Sequence, residues 1–161
     1  MLQANHPVVI TNGVFDIFHK GHVQYSHEAS QLGQTLILGL NRDASVKMLS
    51  KRNDRPYNSE RDRAIVLAAL ASVGLVVYFK EKTPRNLIQE IKPDIYVKGG
   101  GCDIEDLEET KLVKSWGGQS KSTLFVSGFS TTILVNRIKK TGLLTSGLFF
   151  GFIISTCRCL R

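Results

Sequence analysis

The chain has 161 residues, 42% of them hydrophobic and 22% charged, with a net charge of +7. That balance is normal for a soluble globular protein of one domain with a core of its own. The positive excess asks for an anionic partner, but the 21 lysines and arginines are scattered and no interleaved aromatics form a stacking platform, which disfavours nucleic acid and leaves phosphorylated small molecules. Cys102, Cys157 and Cys159 are an odd, separated set, unlike a disulfide framework and suited to a reducing cytosol. Met1–Pro7 is polar and lacks the apolar core of a signal peptide, so a cytoplasmic location is expected.

Val8-Val9-Ile10, closed by Asn12-Gly13, reads as a buried parallel strand ending in a turn. A helix is expected over 21–32, stopped by Gly33. Residues 35–40 form a second strand, with Asn41 and Asp43 just past its carboxyl end, and Lys47 sits on the helix that follows. Residues 50–58 are basic and polar, with Pro56 inside, and form a loop. Ser59 and Asp62 resemble a capping box for the next helix, whose Ala64, Leu67, Leu70 and Ala71 share one face. Leu75–Tyr78 is a third strand. Pro84 opens a helix to Ile91, and Asp94–Val97 is a fourth strand ending in the turn Lys98-Gly99-Gly100-Gly101. A helix over 105–116, a strand over 122–126 and a last helix from Ser130-Thr131-Thr132 to Lys140 complete the pattern. Strands alternating with helices mean right-handed crossovers, so the fold class is α/β: a Rossmann-like, doubly wound, five-stranded parallel sheet with helices on both faces.

The stretch from Thr11 to His22 concentrates the chemistry. His19 and His22, three apart at a helix start, project from one side of a turn whose N–H groups and dipole favour an anion. Gly21 lets a phosphate approach the backbone. For the histidines alone the plainer alternative is a surface pair, and nothing nearby completes a four-ligand metal set.

Taken together, the strand, Asn12-Gly13-Val14-Phe15-Asp16 and His19-Lys20-Gly21-His22 resemble the signature of the nucleotidylyltransferase superfamily. The chain further resembles its D-glycero-β-D-manno-heptose 1-phosphate adenylyltransferase branch. The resemblance rests on Asn41–Val46, Arg55–Asn58, Asp62–Ala64, Thr83-Pro84, Lys92–Gly100, Trp116–Gly118 and Gly128–Thr132, and spans about residues 8 to 140. It implies AMP transfer from ATP to a sugar 1-phosphate, giving ADP-heptose for the lipopolysaccharide core, with Mg2+ accompanying ATP. His19 and His22 then contact the triphosphate, and Lys47 neutralises developing charge. Asn12, Gly13, Val14, Phe15, Asp16, Gly21 and Asn41 belong to the nucleotide site, where Asp16 orients the turn or acts through a metal. Lys98, Gly99 and Gly100 border adenine and ribose, Ser130, Thr131 and Thr132 hold phosphates, Arg63 is directed at substrate phosphate, and Asp43 belongs with it to the substrate-binding residues. The plainer alternatives are a solvated helix charge for Lys47 and Arg63, a strand-end turn for 98–100 and a simple N-cap for 130–132. No Mg2+ ligand can be named from the sequence.

Gly101-Cys102 stands where the branch usually has an acidic and an aromatic residue, and Ser127 where an acidic residue is common. Two rival functions are a CTP-dependent cytidylyltransferase acting on glycerol 3-phosphate or a related alcohol phosphate, and a catalytically silent nucleotide-binding module. The nucleotidylyltransferase domain is expected over 1–140, and the resemblance implies a homodimer. Residues 141–161 form an apolar tail, too short an apolar run for stable membrane insertion. Its readings are an extra packed element, a membrane-surface anchor or a segment without a selected role.

Overall fold

The computed structural model of the chain describes residues 5–49, 55–99, 104–123 and 128–143. In chain order the elements are β1 (Val8–Gly13), α1 (Lys20–Ser30), β2 (Thr35–Asn41), α2 (Asp43–Leu49), α3 (Glu60–Ala68), β3 (Leu75–Phe79), α4 (Arg85–Ile91), β4 (Ile95–Gly99), α5 (Glu108–Lys114), β5 (Gln119–Thr123) and α6 (Thr131–Leu143). All five strands are parallel and lie in the order β3-β2-β1-β4-β5. The chain divides into two compact units, Met1–Thr131 and Thr132–Arg161. The sheet and everything said below of the site belong to the first.

Alternation along the strands explains the layering. Val9, Leu36, Leu38 and Val97 pack with Ala29 of α1 and Leu67 of α3, whereas Val8, Ile10, Ile37 and Tyr96 pack with Leu87 and Ile88 of α4 and Val113 of α5. Each central strand therefore buries both of its faces, which is why Val8-Val9-Ile10 and Leu36-Ile37-Leu38 read as unbroken apolar runs. The Rossmann-like expectation holds. The Ser59 cap also forms: its Oγ accepts the Asp62 N–H at 3.2 Å and donates to the Asp62 carboxylate at 2.6 Å.

Several boundaries moved. The fifth strand lies three residues earlier than expected, because it is a mostly exposed edge strand, Gln119–Thr123, whose pairing with Ile95–Gly99 decides its position. Hydrophobicity places the expected strand toward Leu124–Val126, residues that lie outside the described ones. The α5 helix begins at Glu108 rather than 105, after a turn ending at Leu107. Ala71 lies exposed beyond the end of α3 and leaves the core face to Ala64, Leu67 and Leu70. Gly100, Gly101, the three cysteines and the tail beyond Leu143 fall outside the described residues.

Candidate active site

The order of the sheet reverses between β1 and β4: the chain moves outward from β1 through β2 to β3, then returns to the opposite side of β1. Parallel neighbours whose connections leave in opposite directions open a crevice at their carboxyl ends. The pocket found there is lined by Asn12, Gly13, Val14 and Phe15 after β1, by His19, Gly21, His22 and Tyr25 of the α1 entry, by Lys98 and Gly99 ending β4, and by Phe129, Ser130 and Thr131.

The turn that carries the histidines is held under strain. Phe15 has φ of 49°, a left-handed conformation that an L side chain other than Asn or Asp rarely adopts, yet it is almost fully buried. Its ring meets His22 edge-on, with centroids 5.2 Å apart. His19 and His22 then stack, their centroids 3.9 Å apart and their planes 17° from parallel. A β-carbon on Gly21 would come within 3.0 Å of the His19 ring and 3.3 Å of Phe129 Cβ, so the bare backbone there is a packing requirement.

Charge is correspondingly suppressed. Burial, with the neighbouring His19 as a smaller contribution in the same direction, lowers the His22 pKa to about 4; burial also lowers His19, against the smaller opposing pull of its own backbone. Two stacked imidazoles with buried Nδ1 atoms that find no hydrogen-bond partner among the described residues are polar groups waiting for one. His19 is the N-cap of α1 without a side-chain cap, and the first turn carries no acidic residue, so the helix terminus offers its N–H groups to an anion.

These shifts give a pH signature. An unfolded His22 takes up a proton near its ordinary value of 6.5, while the folded one stays neutral down to about 4, so stability present above the first value is lost as pH falls through the second. Urea unfolding is expected to report a loss of about 2 kcal/mol between neutral pH and the lower value from this group. His22→Gln is expected to flatten that part of the slope; an unchanged slope would remove His22 as its source.

On the opposite wall, Asn12 Oδ1 accepts hydrogen bonds from Tyr96 Oη at 3.1 Å and Lys98 Nζ at 3.2 Å, joining the ends of β1 and β4. Lys98 therefore stands at the pocket with its ammonium tethered.

Other expected site residues act from behind. The Asp16 carboxylate is buried and accepts the N–H groups of Tyr57 at 2.8 Å and Asn58 at 3.0 Å, with Arg55 3.6 Å away. It orients the turn by pinning it to the segment before α3. Arg63 differs from the expectation that it meets a substrate phosphate. It is 2% exposed, and its guanidinium donates to the carbonyls of Val14, Asn41 and Asn58 and to the Asp43 carboxylate at 2.6 to 3.1 Å. It is thus a buried clamp, with Asp43 as its counter-charge. Asn41 is likewise buried, its amide donating to Ser45 Oγ at 3.1 Å. Lys47 is exposed on α2 and does not line the pocket. Thr132 follows Thr131 in the first turn of α6, and Gly100 lies outside the described residues.

Tyr25 and Phe129 line the pocket without having been picked as site residues. The signal for Tyr25 was its place three residues after His22 on the same helical face; Phe129 stood inside the quoted Gly128–Thr132 segment. As for a metal, no group of three or more His, Cys, Asp or Glu among the described residues could hold an ion. Asp16, the nearest carboxylate of the motif, already spends its oxygens on backbone N–H groups.

No helix among the described residues is long and apolar enough to cross a membrane. The cytidylyltransferase-like family matches residues 10–137. The D-β-D-heptose 1-phosphate adenylyltransferase of Bordetella bronchiseptica is 52% identical over 134 residues, covering 83% of each chain. The bifunctional protein HldE of Magnetococcus marinus is 50% identical over 81% of this chain, which spans only 27% of that protein's length. Among solved structures, the lipopolysaccharide core biosynthesis protein of Thermoplasma volcanium superposes with a TM-score of 0.62 at 27% identity, over 76% of this chain and 98% of its own. With an uncapped helix start, paired histidines and a strand-end lysine around one pocket, and with relatives of this closeness, the chain belongs to the cytidylyltransferase-like nucleotidyltransferases and, within them, to the D-β-D-heptose 1-phosphate adenylyltransferase family.

Proposed function

We propose that the protein transfers AMP from ATP to D-glycero-β-D-manno-heptose 1-phosphate, giving ADP-heptose and pyrophosphate for lipopolysaccharide core synthesis. The observation that carries the reading is the pair of stacked, neutral imidazoles at an uncapped helix start, in one pocket with Lys98, Ser130 and Thr131. A sugar phosphate is largely dianionic near neutral pH, because its second pKa is about 6. Its oxygen therefore attacks the α-phosphorus without a strong base. The new O–P bond forms as the bond to the β-phosphate oxygen breaks, and the electron pair leaves with pyrophosphate.

What the protein adds is alignment and compensation of charge. His19 and His22 donate to triphosphate oxygens, and a bound anion favours their protonated forms, opposing the effect of burial. Lys98 and Gly99 border the nucleoside, and Ser130 and Thr131 hold the β- and γ-phosphates. Arg63 and Asp16 keep the turn in shape from behind. Mg2+ belongs to this reading as the counter-ion that ATP would bring, where it would neutralise part of the triphosphate charge.

The test offers the purified chain ATP or CTP, each with heptose 1-phosphate or glycerol 3-phosphate, and measures pyrophosphate. Release with ATP and heptose 1-phosphate alone is expected. Release only with CTP and glycerol 3-phosphate would replace this reading by the cytidylyltransferase, and none with any pair would leave a silent nucleotide-binding module. A homodimer in the cytoplasm completes the proposal, and the mass of the same preparation in solution reads its oligomeric part.

A further inference from the structure

Tyr25 lies one turn after His22 on α1, and its phenol reaches across the pocket floor to both strands of the switch point. Its hydroxyl donates to the Val97 carbonyl of β4 at 3.1 Å and shares a hydrogen bond with the Thr11 hydroxyl of β1. The ring occupies the space beside Gly99: a β-carbon there would stand 3.1, 3.4 and 3.5 Å from Tyr25 Cε2, Cδ2 and Cζ. Burial pushes the phenol up to about 12, against smaller opposing contributions from the Thr11 hydroxyl and the Gly99 backbone, so near neutral pH it is a neutral donor.

We propose that Tyr25 is a positioning residue for the nucleotide, setting the distance between the histidine-bearing helix and the Lys98–Gly99 strand end while its ring takes the place of a side chain at position 99. The helix carries His22 and the strand carries Lys98, and both line the pocket with Tyr25. Loss of the hydroxyl frees helix and strand to drift apart, and a side chain at 99 forces the ring off its seat. In either case the two walls no longer fit one ligand. A fit that fails by a few tenths of an ångström weakens binding while the transferred group still meets the same catalytic atoms.

This inference rests on the pocket being the ATP site, so wild-type protein is measured first, by calorimetric titration with ATP and by pyrophosphate release. Tyr25→Phe keeps the ring and loses the hydroxyl. Its affinity for ATP is expected to fall about fivefold to tenfold, the worth of one hydrogen bond, with KM rising alike and kcat at saturation within about twofold. A merely structural role would lower Tm and the active fraction and leave Kd and KM unchanged. Gly99→Ala is expected to weaken ATP binding at least about tenfold. In the Tyr25→Leu background, where the smaller side chain leaves room, the same change is expected to cost less than about threefold. Wild-type ATP affinity in Tyr25→Phe, or an equal cost of Gly99→Ala in both backgrounds, overturns the proposal. Absence of ATP binding and turnover in the wild type overturns the nucleotide-site reading itself, and this inference with it.

Discussion

His19→Ala and His22→Ala are each expected to lower the rate of pyrophosphate release at least about tenfold, a barrier increase of roughly 1.4 kcal/mol. The argument is geometric. The two rings stack 3.9 Å apart at the start of α1 and line the same pocket, so in the proposed mechanism the loss of either removes one of two donors to the triphosphate. They also support each other: His22 rests against Phe15, Phe18 and His19, with centroids 3.9 to 5.5 Å apart. His22→Ala removes a donor and a packing partner together, whereas His19, nearer the solvent, is the cleaner test of donation. Rates at saturating ATP, read beside Tm, separate the two effects. Near-normal turnover in either folded variant would take that histidine out of the chemistry.

Arg63→Ala is expected to cost about 3 kcal/mol of unfolding free energy in urea titration, because it strips hydrogen bonds from three backbone carbonyls and leaves Asp43 without its counter-charge. Arg63→Lys is expected to recover little, since one ammonium cannot reach partners spread around a planar fork. Activity is expected to fall with stability, because the Val14 carbonyl it holds belongs to the pocket wall. A substrate contact behaves differently: stability would hold while KM for one substrate rose. Full stability in Arg63→Ala would mean that the clamp is dispensable.

Periodicity and turn chemistry located the strands, the helices and the motif. Val8-Val9-Ile10 and Leu36-Ile37-Leu38 are buried on both faces and announce themselves. The edge strand Gln119–Thr123 does not, because its position is written in the backbone pairing with β4 rather than in its own side chains. The site divides in the same way. Asn12, Gly13, His19, Gly21 and His22 lie close together in sequence and were legible as one constellation. Arg63 and Asp43 were recognised as functional types, but a sequence does not say whether an arginine on a short helix points outward to a ligand or inward to carbonyls. Here its partners come from three separate segments, and the burial they produce decides the matter. Tyr25 was missed because a tyrosine after a histidine pair looks like ordinary core filling until Thr11 and Val97 are seen at its hydroxyl.

The fastening of the motif turn has a consequence for how the protein is made. Asp16 is pinned by Tyr57, 41 residues later in the chain, and Val14 by Arg63, 49 residues later. The short signature therefore cannot take its working shape on its own. A nascent chain that has emerged only as far as α1 carries every histidine and glycine of the motif, yet lacks the anchors that hold Phe15 in its left-handed conformation. Contacts so distant in sequence form late, after the loop between them has closed. The motif turn is therefore expected to reach its left-handed conformation only once α3 has docked against it.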